Sequence, residues 1–185
     1  SDSAGHFIGR KQQNEPHVVG TYLATLAGID TNPAWMNQLD SLLSLHPDVY
    51  LEGLQHSNLA DRAIAKAAYE DAAIHFERSI QAFQTIGQNY KVPATILSLG
   101  WVHLADDNYN DAMNYFHQSI DKAMEHGLLS LAIKSYYYLS ALFQDMELES
   151  LVLYCFDQVN ALKQDKNIPD IELEYTCMLA DKYSR

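Results

Sequence analysis

Apolar side chains along this chain recur at steps of three and four, as in Ile96, Leu99 and Val102 and again in Ile133, Tyr136 and Leu139, whereas no stretch sustains strict alternation. The first spacing gathers side chains on one face of a helix, and the second is what a half-buried strand requires. The pattern predicts an all-helical chain of about nine helices and no sheet.

Comparing the chain with itself reveals a longer regularity. Tyr69, Asp71, Ala72, Phe76, Ser79 and Ile80 return in register 40 residues later as Tyr109, Asp111, Ala112, Phe116, Ser119 and Ile120. A fixed period of this size is the mark of stacked supersecondary units. The large apolar position continues as Met36, Phe76, Phe116 and Phe156, and steps of 40 also reach Leu39, Val152 and Val159. In the preceding helix of each unit the same step selects Gly20, Ala60, Gly100, Ser140 and Ala180, five small residues that permit close helix approach.

Each unit therefore reads as an antiparallel helix pair. The turn at Asp106, Asp107 and Asn108 precedes a new amphipathic run and carries capping residue types. Gly87 and Gly127 stand where a left-handed residue would stop the second helix, with Asn167 in that place one unit on. Pro47 and Pro93 fall at helix starts, where the missing amide costs little. The units run approximately over residues 17–47, 52–87, 92–127 and 130–167, followed by a terminal helix at 169–185. Residues 1–16 lack periodicity and are expected to be a flexible segment before a single domain over 17–185. The terminal helix is either a polar cap or the first half of a further unit.

Leu99-Gly100 followed by Ala112, Phe116 and Ser119 resembles the tetratricopeptide signature, in which a small residue of the first helix packs on an Ala and an aromatic residue of the second. Trp101-Val102-His103-Leu104, with Asn108-Tyr109-Asn110-Asp111-Ala112, is similar to the best-kept part of that motif. The resemblance covers residues 54–160. It implies a right-handed α-solenoid. The 40-residue spacing departs from the usual ~34 and implies longer helices, as in the sensor domains of large bacterial transcription activators and signalling proteins.

The resemblance also implies a site. The first helices of such a solenoid line a concave groove that holds extended peptides or partner helices. Placing the small residue at its usual position directs Ser57 and Asp61, then Leu97, Trp101 and Leu104, then Lys134, Tyr137 and Gln144 into that groove. Trp101 follows Gly100 directly and so points off the packed face, and tryptophan is a common energetic centre of interfaces. Of the three consecutive rings Tyr136, Tyr137 and Tyr138, at least one is expected in the core and another exposed, with Tyr137 assigned to the groove. Apolar contact would come from Trp101 and Tyr137, and polarity and register from Asp61 and Lys134.

Composition narrows the picture. A net charge of −12, from 24 acidic and 12 basic side chains, repels a phosphate backbone, so direct nucleic-acid binding is not expected and a basic partner is favoured. The acidic run Glu147, Glu149, Asp157, Asp165, Asp170, Glu172 and Glu174 is read as a solvated face, with docking of a basic partner as the other reading. With no apolar stretch of about 20 residues, no membrane span is expected. No secretory signal pattern opens the sequence, and cytoplasmic location is the expectation. Cys155 and Cys177 both sit in apolar helical patterns, as buried free thiols.

Candidate chemistry is sparse. None of the eight histidines forms a helical pair with a carboxylate between, as a zinc-protease motif needs. Asp106, Asn108 and Asn110 imitate the opening of a calcium loop, but Asp111 occupies the glycine position and His117 that of the bidentate Glu. There is no phosphate-cradling glycine loop and no nucleophile elbow. No metal, cofactor or catalytic residue is assigned, and a non-enzymatic peptide- or protein-binding module of a bacterial regulatory protein is the leading expectation. A chaperone for secreted virulence proteins is the alternative, against which the long repeat argues. A self-associating scaffold, dimerising through the terminal repeat, is another.

Overall fold

The computed structural model describes residues 48–164. Gly20, Met36, Leu39, Pro47, Asn167, Cys177 and Ala180 lie outside them, as do residues 1–16, expected to be flexible, and 169–185, expected to be a helix. By its contacts the chain divides into two compact units, Ser1–Glu52 and Gly53–Arg185, and the packing below concerns the second.

Six helices are present among the described residues: α1 (Val49–Ile64), α2 (Tyr69–Thr85), α3 (Val92–Ala105), α4 (Tyr109–Glu125), α5 (Leu129–Asp145) and α6 (Glu149–Gln164). There is no strand among the described residues. The expectation of nine helices extends into segments outside them. None of the described helices is long and apolar enough to cross a membrane.

The helix stops follow one rule. Ala67, Gly87, Asp107, Gly127 and Glu147 all adopt positive φ, between 56° and 69°, and they succeed one another at intervals of 20 residues. At each, the residue after the left-handed one returns its amide to a carbonyl five positions back, as in Ala68 to Ala63 (2.9 Å), Asn108 to His103 (2.8 Å) and Leu128 to Ala123 (2.8 Å). This bond satisfies a carbonyl left over at the helix end. Gly87 and Gly127 take the conformation expected of them, with φ of +69° and +67°. The stops at Ala67, Asp107 and Glu147 occur without glycine and carry no such sequence signal.

Helix starts are less uniform. Asp48 caps α1, its Oδ1 accepting from the amides of Tyr50 (2.9 Å) and Leu51 (3.1 Å). Pro93 occupies the first turn of α3, as expected. Asn108 corrects the capping expectation: its side chain makes no cap bond and instead donates to Asp111 Oδ2 at 2.9 Å. The preceding helix stop, rather than a side-chain cap, sets the start of α4.

From α2 to α6 each helix packs on the next, and α3 also reaches α5. The small residues do what the repeat implies. A Cβ on Gly100 would lie 2.7 Å from ring carbons of Phe116, and one on Gly53 would lie 2.8 Å from Phe83. Ala60 and Ala72 are enclosed with Phe76, Leu99 and Val102. Phe116 is enclosed with Ala112, Ile120, Leu139 and Leu142, and its ring stacks on Tyr138 at 5.6 Å. Ser140 is fully buried and donates to the Tyr137 carbonyl at 2.8 Å.

A polar rung repeats with the same period. Ser79 Oγ donates to the Gly53 carbonyl at 2.8 Å, and Ser119 Oγ to the Pro93 carbonyl at 2.8 Å, each crossing from the second helix of a pair to the start of the first. Both serines are fully buried, so these bonds satisfy hydroxyls that water cannot reach. Phe156 departs from the pattern: it is 36% exposed where Phe76 and Phe116 are buried. Phe116 is covered by α5 of the following pair, whereas the chain that follows α6 is outside the described residues. Cys155 is a free, buried thiol, as expected.

Candidate functional site

Three helices that open successive pairs, α1, α3 and α5, meet around one pocket of about 310 Å³. α1 contributes Asp61 and Ile64, and α2 the edge of Phe76. α3 contributes Ala94, Leu97, Ser98 and Trp101. α5 contributes Leu131, Lys134 and Tyr138. The spacings 94, 98, 101 and 131, 134, 138 are each one helical stripe, so two parallel stripes face a common space.

Apolar and aromatic residues form most of its lining, and polar and apolar atoms share its exposed walls about equally. Trp101 is half-buried and rests on the cluster that holds Ala60, Phe76 and Leu99, leaving the rest of its indole to the pocket. Tyr138 is half-buried, with its ring backed by Phe116. Asp61 and Lys134 bring charges of opposite sign to the lining. Ser98 spends its hydroxyl on the Ala94 carbonyl of its own helix at 3.3 Å. Among the described residues no group of three or more His, Cys, Asp or Glu side chains is placed to hold a metal ion.

Of the eight residues assigned from sequence, Asp61, Leu97, Trp101 and Lys134 line this pocket. The other four are placed differently. Tyr137 is a correction: it is 3% exposed, packed with Ile133 and Val159, its ring edge-on to Phe156 at 6.3 Å and its hydroxyl accepting from Lys163 Nζ at 3.2 Å. Leu104 is also a correction, being buried in the cluster around Phe116. Ser57 bonds Ser79 Oγ at 2.8 Å and so ties α1 to α2 instead of facing the pocket. Gln144 is exposed in the last turn of α5 and does not line the pocket.

The Tyr137 error is a phase error of one residue. Neighbouring helical residues differ by about 100°, so assigning the stripe through Tyr137 instead of Tyr138 rotates it from pocket to core. Ser98 and Tyr138, 40 apart, were missed, as were Ala94, Ile64 and Leu131. The signal that identifies Ser98 and Tyr138 is the four-residue step from Ala94 and Lys134, which are themselves 40 apart.

Burial shifts several groups. It raises the hydroxyl pKa of Tyr115 and, more deeply in the packing, of Tyr136, so both phenols stay neutral across the physiological range. The Cys155 thiol is pushed up to about 11 by burial alone. Neither a family model nor a curated protein matches this sequence.

Proposed function

We propose that this chain is a non-enzymatic interaction module, a tetratricopeptide-like solenoid whose first helices form a groove that captures a peptide or protein segment. The observation that carries the reading is the convergence of α1, α3 and α5 on one pocket containing Trp101 and Tyr138. A volume of about 310 Å³ suits one or two large side chains of a partner segment. The 40-residue recurrence of helix stops and of the buried serine rung supports the stacked arrangement. Within a bacterial regulatory protein such a module serves as the sensory or adaptor part.

In this role Trp101 and Tyr138 supply the apolar anchor, replacing the pair assigned from sequence, while Asp61 and Lys134 set polarity and register. A photo-crosslinking residue at Ser98, in the pocket wall, is expected to link to the captured segment. The same residue at His117, exposed on α4, is the control. Equal crosslinking from both positions overturns the groove. Trp101→Ala and Tyr138→Ala should each weaken capture at least tenfold, about 1.4 kcal/mol, while helicity by circular dichroism is unchanged.

A further inference from the structure

His56 of α1 and His75 of α2 face each other across the first described helix pair. Their Nδ1 atoms are 3.1 Å apart, and the rings stack with centroids at 5.3 Å and planes 29° apart. Each imidazole carries one N–H when neutral, so one Nδ1 donates to the other. The first proton taken up by the pair enters at Nε2 of the donor ring. That leaves the Nδ1–H donor in place and strengthens the bond. A second proton has only the accepting Nδ1 to occupy. It sets two N–H groups and two positive charges against each other, and the bond is lost.

We propose that His56 and His75 form a proton-controlled latch between α1 and α2, closed with no or one added proton and released by the second. The surroundings set its range. His75 is held below its ordinary value of 6.5, chiefly by burial and then by the Arg78 guanidinium, with Asp71 opposing. These two charged groups lie on α2 itself, and His56 meets His75 from α1. A histidine depressed in the folded state is neutral in both states above about pH 6.5, so it then costs nothing. His75, held low, is the accepting ring that takes the second proton; the opened form binds that proton more readily than the closed pair, so the helix pair loses stability as pH falls below that value. α1 also carries Asp61 and Ile64, and α2 carries Phe76, so release loosens one side of the pocket.

The repeat supplies the variants. The position 40 residues after His75 is Tyr115, and that after His56 is Ile96, so His75→Tyr and His56→Ile install what the next pair already accommodates. Imidazole titration by NMR on the full chain should give two coupled steps for the pair, the second below the ordinary value. Amide exchange in residues 53–64, corrected for its intrinsic pH dependence, should rise relative to α4 as pH is lowered from about 7.5 to about 5.5. In either variant the remaining histidine should lose its coupling to a second ring, and in His75→Tyr the acid response of α1 should vanish. A single common step for both histidines in the parent protein, or an acid response that survives His75→Tyr, overturns the latch.

Discussion

At Gly100 a hydrogen stands where any other residue would place a carbon 2.7 Å from the Phe116 ring. Phe116 is fully buried and backed by Tyr138, so it has no room to swing aside. Replacing Gly100 by Ala gains about 1 kcal/mol of helix propensity but overpacks a closed core, at a cost of about 2 kcal/mol. The expected result is a net loss of about 1 kcal/mol, read as a lower denaturant midpoint with an unchanged slope. A raised midpoint would show that the helices separate more readily than this packing implies. Cys155 offers a second residue-level check. Its thiol, raised to about 11 and buried, should react with a disulfide probe at mildly alkaline pH no faster than the protein opens, and fully once denaturant is added.

Among elements, the most informative are the links that join them. The three stops within helix pairs use Ala67, Asp107 and Glu147 at φ near 56°, a conformation costing a non-glycine residue about 1 kcal/mol. Ala67 is exposed, so its methyl makes no contact that matters. Ala67→Gly should therefore stabilise the protein by about 1 kcal/mol, visible as a rise of a few degrees in Tm, and a fall would sink this account of the link. These stops also mark where sequence reading ends. The helices, their pairing and Gly87 and Gly127 were legible because apolar spacing and glycine are direct physical demands. Ala67 and Glu147 were not, because neither residue type favours the left-handed conformation, and Asp107, whose type tolerates it, stands in a polar run that does not single it out. Four of the eight residues assigned to the groove line the pocket, for a related reason. Gly100 fixes the phase of α3 through its contact with Phe116, and Trp101 follows from it. On α5 the equivalent residue is Ser140, and three adjacent tyrosines left the choice of stripe open by one position.

Across the described helices most acidic side chains lie away from the pocket, where Asp61 and Lys134 are the charged lining residues. The acidic side chains Glu70, Asp71, Glu77, Asp111, Asp121, Glu125, Glu149 and Asp157 lie on α2, α4 and α6, while α3 holds no Asp, Glu, Lys or Arg at all. A segment anchored on Trp101 and Tyr138 should thus bind with little dependence on salt, and a steep salt dependence would point to the acidic helices as the docking surface. The regular spacing of the left-handed residues has another outcome at this scale. Because the backbone turns in the same way at Gly87 and at Gly127, the chain contains its own splice points. A second copy of residues 88–127, inserted between Gly127 and Leu128, meets the same joint at both ends and offers its neighbours the faces that α3 and α4 already present. Such a chain should fold with the same helical content per residue and melt at no lower temperature than its parent. The protein would then be extendable by whole units, as a rod is lengthened by adding identical links.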